Sequence, residues 1–174
     1  MSQSTSIGSS EPTWRPLLAK WGLSFFLAAL CGYLLWAYTT GAFTVFTTAA
    51  LIIHEAGHVF FAPFGWTLCI LGGSLFQLIL PGLFVFSFLR QSYRPGVQIS
   101  LVWLGQNALY VSTYAADAQE RALPLITNDP STHDWWMLLR AAGLLPYDDA
   151  VGAAFLGVAL LAFGTALMLP RALL

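Results

Sequence analysis

Long apolar runs separated by short polar breaks set out the elements of this chain. The runs cover residues 17–38, 43–61, 67–89, 97–118 and 150–169. Each is close to the roughly 20 residues an α-helix needs to cross the hydrocarbon core of a bilayer. Pro63 and Gly65 close the second run, and a polar turn over 90–96 divides the third from the fourth. Only Thr39, Thr40 and Gly41 separate the first two, and so short a link predicts antiparallel neighbours. The one long non-apolar stretch is 119–149. Within it, 134–145 reads as a short helix with Asp134 as its cap. Trp135, Trp136, Leu138 and Leu139 suit that helix to the membrane interface, and Gly143 and Pro146 end it.

The expected fold is therefore an all-α integral membrane protein with five transmembrane helices and a short interfacial helix. Its organisation reads as a polar, disordered tail over 1–16, a four-span core over 17–118, a loop with the interfacial helix over 119–149, and a last span within 150–174.

Composition agrees with that picture. The chain is 57% hydrophobic and 9% charged, against about 25% charged in an average soluble domain. Its seven Lys and Arg are scattered, with no basic stripe, which excludes a nucleic-acid partner and leaves membrane lipids as the first one. No small-residue cleavage site follows the first run, so it reads as a span and not a signal peptide. The plasma membrane of a prokaryote is the expected location. With five crossings and the N-terminus inside, Arg15, Lys20, Arg121 and Arg140 fall on the cytoplasmic side and Arg90, Arg94 and Arg171 outside, a slight preference for a cytoplasmic N-terminus. Cys31 and Cys69 sit within apolar runs and read as small core side chains.

The chemistry lies in the second run, as His54-Glu55-Ala56-Gly57-His58. Histidines at i and i+4 project from one helical face, a metal-ligand pair with a carboxylate beside it. Two imidazoles and a carboxylate are expensive in hydrocarbon without a binding purpose. His54 and His58 are thus expected ligands, with zinc (Zn2+) the ion that suits them best, and Glu55 the base that takes a proton from water. Asp117, at the end of the fourth run, is the preferred third ligand. Its rival role is a salt bridge to Arg121. His133 is a comparable third or fourth ligand, its rival role being a loop histidine beside a helix cap.

In the fourth run Gln106, Tyr110, Thr113 and Asp117 fall at intervals of 4, 3 and 4, on one face that should look into the bundle or a wet cavity. Thr47 continues the face of His54 and His58. Gly73, Ser74 and Gln77 form a small-residue patch that permits close helix approach and offers one amide for hydrogen bonding. Gln106 or Asn107 would polarise a substrate carbonyl, or serve only as packing polarity.

The stretch Leu51-Ile52-Ile53-His54-Glu55-Ala56-Gly57-His58, in a membrane helix followed by further spans, resembles the intramembrane zinc metalloproteases of the site-2 protease class. The resemblance covers about residues 43–118. It implies zinc on His54, His58 and a distant aspartate, Glu55 as the catalytic base, and cleavage of a transmembrane peptide substrate. The family draws its aspartate from an Asp-Gly pair, which is missing here; Ala116-Asp117-Ala118 is the nearest substitute, with Asn107 upstream. Two functions of different class follow. One is a membrane-embedded zinc hydrolase. The other is an accessory subunit, in a larger membrane complex, whose ion closes the bundle without turnover. Metal transport ranks behind both.

Overall fold

The computed structural model describes residues 15–172, with side chains from 21 to 169. The polar tail expected over 1–16 lies, up to residue 14, outside the described residues. Six helices form in the order α1 (Arg15–Thr40), α2 (Val45–Phe61), α3 (Trp66–Arg90), α4 (Arg94–Ala116), α5 (Asp134–Ala141) and α6 (Asp148–Ala172). Single 3-10 turns at Ala62–Phe64, Pro130–Thr132 and Leu145–Tyr147 join some of them, and no strand occurs among the described residues.

Local chemistry sets the boundaries. Thr44 opens α2 with a reciprocal cap: its Oγ1 accepts from the Thr47 amide at 3.2 Å, and its own amide donates to Thr47 Oγ1 at 3.2 Å. Pro63 and Gly65 end α2 as the sequence predicts; Gly65 has φ 97°, a conformation that favours glycine. Pro95 sits in the first turn of α4, where its missing amide costs nothing.

Among the described residues four helical stretches, not five, are long and apolar enough to cross a membrane: Trp21–Thr40, Val45–Phe64, Trp66–Arg90 and Leu145–Leu169. The expected fourth span, now α4, is long but less apolar. The reason is its position. It packs against α1, α2, α3 and α6, and it buries Gln98, Gln106, Asn107 and Ser112 along with its apolar residues. A helix sheathed by other helices meets little lipid and can carry amides that hydrogen-bond inside the bundle. Gln98, for example, donates to Ser24 Oγ at 2.9 Å and to the Ala166 carbonyl at 2.8 Å.

The directions of the helices depart further from expectation. Ser24 pairs with Gln98 near the start of α4, and the Tyr38 hydroxyl meets Ser112 Oγ near its end, at 3.1 Å. So α1 and α4 run parallel. The Phe46 carbonyl accepts from Gln106 at 3.1 Å, while His54 lies against Tyr110 and Tyr114 further along α4. So α2 also runs parallel to α4, and hence to α1. The expected antiparallel α1–α2 pair is not formed. Gly41, at φ 66°, reverses the chain after α1, with the Ala42 amide donating to the Ala37 carbonyl at 2.9 Å. The next residues run back along α1 until Phe46 sits beside Tyr33, at 6.5 Å between ring centroids. Only there, level with the middle of α4, does α2 turn toward the same end again.

The remaining helices alternate. α3 runs against α2, with Gln77 opposite Ala50 and Cys69 opposite His58. α6 runs against α4, with Ala166 opposite Gln98 and Gly152 opposite Ser112. Glycines let the backbones approach. A Cβ on Gly57 would stand 2.3 Å from the Gly72 carbonyl oxygen, and one on Gly105 would stand 2.4 Å from the Phe163 ring. An apolar core including Leu27, Leu34, Leu101, Leu109 and Phe163 ties α1, α4 and α6 together. A second, around Val111, Ala115, Trp135 and Leu139, seats α5 at the bundle end where α2 and α4 finish.

Candidate metal centre

Three ligand-type side chains converge at that end. Nε2 of His54 lies 2.8 Å from Oδ2 of Asp134, and Nε2 of His58 lies 3.1 Å from the same oxygen. His54 is 3% exposed and Asp134 6%, so water cannot compensate a poor arrangement of these groups.

Hydrogen bonds behind the imidazoles fix what they present. The Nδ1 of His58 lies 2.8 Å from the Cys69 carbonyl oxygen, which can only accept; Nδ1 therefore carries the proton. The Gln77 side chain donates its Nε2 to the Ala50 carbonyl at 3.0 Å, which turns its Oε1 toward His54. The His54 Nδ1, 3.0 Å away, is thereby also a donor. In a neutral imidazole the other nitrogen then holds a lone pair. With both imidazoles neutral, both Nε2 atoms aim such lone pairs at an anionic oxygen within hydrogen-bonding distance, an arrangement that a cation among them would relieve. This donor set fits a divalent ion: two imidazoles and a carboxylate suit zinc, and all three ligand atoms lie within 4.8 Å of one another. Acceptors behind ligating histidines are the ordinary means of orienting them.

Asp134 reaches the site because its helix start is held from several sides. Its amide donates to the Tyr114 hydroxyl at 3.1 Å, and Trp135 Nε1 donates to Ser74 Oγ at 3.1 Å. Burial pushes the Asp134 carboxyl up, while the two imidazoles, in their protonated form, outweigh it and hold it below the usual carboxylate range. It is an anion at neutral pH.

The expected ligands Asp117 and His133 are not brought to this group. The cap of α5 is His133, not Asp134: its Nδ1 accepts from the Trp136 amide at 3.2 Å. Burial pushes the His133 imidazole below its ordinary value and keeps it neutral, as an accepting nitrogen requires. Its Nε2 faces Asp117 Oδ2 at 3.3 Å, and its ring lies on Tyr114 with centroids 4.2 Å apart. Asp117 in turn accepts from the amides of Ala122 and Leu123 at 2.9 and 3.0 Å. Nor does its carboxylate bridge to Arg121, whose guanidinium lies over the Trp136 ring. Both residues build the support from which Asp134 projects. The dipeptide His133-Asp134 held the signal: a histidine that caps through Nδ1 frees the carboxylate after it.

A cavity of 620 Å³ adjoins the three groups, bordered by α1, the returning segment after it, α2, α4 and residues 123–127. Glu55 lines it, exposed and without a hydrogen bond or ion pair among the described residues. Gln106, Tyr110 and Thr113 line it too, as their common face predicts, whereas Asn107 is fully buried away from it. Most donors on its wall are committed. Gln106 donates to the Phe46 carbonyl, Thr113 to Leu109, and Thr47 pairs with Thr44. The Tyr110 hydroxyl has no hydrogen-bond partner among the described residues, and its ring centroid is 6.3 Å from that of His54. No family model, curated protein or solved structure matches the chain.

Proposed function

We propose that this protein is a membrane metalloprotein whose divalent ion, zinc by donor chemistry, is held by His54, His58 and Asp134. The observation that carries this is the convergence of two imidazole Nε2 atoms, each ring braced through its Nδ1, on one buried carboxylate oxygen. The ion would join α2 to α5, residues 80 apart in sequence. That bond alone gives it a structural role, as in an accessory subunit.

The finer reading is a metallohydrolase acting on a peptide at membrane depth, and two features support it beside the structural ion. Three protein ligands leave a tetrahedral ion one open position, the mark of catalytic sites, whereas structural sites are closed by four. The three residues that would hold the ion line a cavity large enough for a peptide segment, with an uncommitted carboxylate and an uncommitted hydroxyl on its wall. The ion would supply a Lewis acid that polarises a carbonyl and acidifies water. Glu55 would accept the proton of the attacking water and pass it to the leaving amine. Tyr110 would donate its O–H to the carbonyl oxygen as charge develops there. Resemblance of the segment 51–58 to the site-2 protease class supports the same chemistry. The substrate must present an unwound stretch, because helical carbonyls are already hydrogen-bonded.

Metal content by inductively coupled plasma mass spectrometry tests the first reading. About one ion per chain is expected, lost in His54→Ala and in Asp134→Asn. No ion in folded parent protein would overturn it. Peptidase assays of metal-loaded parent and Glu55→Gln then separate hydrolysis from a structural ion.

A further inference from the structure

We infer that the metal cavity opens on the non-cytoplasmic side of the membrane, while the opposite end of the bundle lies at the anionic cytoplasmic leaflet. Helix direction and charge set this orientation, whether the ion is catalytic or structural.

Parallel α1 and α2 remove one reversal from the chain path. With α1 running toward the site end, α3 away, α4 toward and α6 away, both ends of the described chain lie at the end remote from the site. This regroups the charges. Arg15 and Lys20 at the start of α1, Arg90 at the end of α3, Arg94 at the start of α4 and Arg171 at the end of α6 all belong to the remote end. Only Arg121 and Arg140 belong to the site end. Seven cations thus divide five to two, where a chain of five alternating crossings divides them four to three. An excess of Lys and Arg flanking the spans marks the cytoplasmic side, and the anionic lipids of that leaflet attract it.

Acidic residues segregate the other way. Glu55 on α2, Asp117 and Glu120 after α4, and the four aspartates from 129 to 149 all lie toward the site end; Glu11 alone is outside the described residues. A negative mouth raises the local concentration of divalent cations and repels anions. Metal and substrate would therefore reach His54, His58 and Asp134 from outside the cytoplasm.

Topology mapping in intact bacterial cells tests this, in a background with Cys31 and Cys69 replaced by Ala. Thr127→Cys and Ser131→Cys, both exposed near the cavity, should react with a membrane-impermeant maleimide. Gln91→Cys, exposed in the α3–α4 turn, should react only after permeabilisation. Green fluorescent protein fused to the C-terminus of the parent chain should fluoresce, because it matures in the cytoplasm. Labelling of Gln91→Cys alone, equal labelling of both ends in intact cells, or a dark full-length fusion would each overturn the inference.

Discussion

Gly73 of α3 lies directly against the imidazole of His54: a Cβ on Gly73 would stand 2.5 Å from Cε1 and 2.6 Å from Nε2 of that ring. The ring is pinned on its other nitrogen by Gln77, so it cannot swing aside without losing that bond. Gly73→Ala should weaken metal binding at least about tenfold, in the range found when supports of metal ligands are removed. Gly82→Ala, where nothing lies within 4 Å, is the matched control. Competition with a chromophoric chelator reads both. Equal affinity in the two variants would show that the ring has room to spare.

Gln77 joins α2 and α3 through two hydrogen bonds, to Ala50 and His54. Gln77→Leu keeps the volume and removes both, leaving the buried His54 Nδ1–H without an acceptor at a cost of about 1–3 kcal/mol. Metal affinity should fall by roughly 10–100-fold. The isosteric Gln77→Glu keeps the oxygen facing His54 but loses the donor to Ala50, so it should retain more affinity than the leucine variant. Equal metal affinity in the leucine variant and the parent would show that Gln77 does not set the His54 tautomer.

His133 serves α5 through Nδ1, and an asparagine can replace a capping acceptor. His133→Asn should keep most of the metal. His133→Ala should lose about 1 kcal/mol of stability and weaken metal binding, since Asp134 is then poorly held. Thermal unfolding in detergent and metal titration separate the two. A ligand role for His133 would show as equal metal loss in both variants.

Glu55 and Tyr110 should affect turnover and leave metal content alone. In a peptidase assay, Glu55→Gln should abolish hydrolysis. Tyr110→Phe should lower kcat by about 100-fold, the usual loss of one oxyanion donor, with little change in KM. Binding of acetohydroxamate to the cobalt-substituted protein, followed by its visible spectrum, gives a readout that needs no turnover. Tyr110→Phe should weaken it, and unchanged binding with unchanged kcat would remove Tyr110 from the chemistry.

Local signals made much of this legible. Apolar run lengths, Pro63, Gly65 and the turn before Pro95 marked helix ends within a few residues. Spacing alone put His54 beside His58 and turned Gln106, Tyr110 and Thr113 onto one face, and small residues around Gly73 with one amide at Gln77 marked the α2–α3 contact. What escaped depends on contacts distant in sequence. Asp134 meets His54 across 80 residues, and any aspartate at a helix start reads first as a cap. The direction of α2 escaped because a short link normally joins antiparallel helices. Here Gly41 turns the chain back, and Thr44 starts the new helix only after several residues of descent.

That descent has a consequence for how wet the interior is. Residues 42–44 are neither helix nor strand, and they run beside the cavity at a depth where α1 and α4 are fully helical. Peptide groups outside regular structure persist within the hydrocarbon zone only where protein or water satisfies them. Here the protein pairs two of the three amides, Ala42 with the Ala37 carbonyl and Thr44 with Thr47 Oγ1. Only the Phe43 amide lacks a protein partner among the described residues, so the descent calls for water at one peptide group and not along the whole cavity.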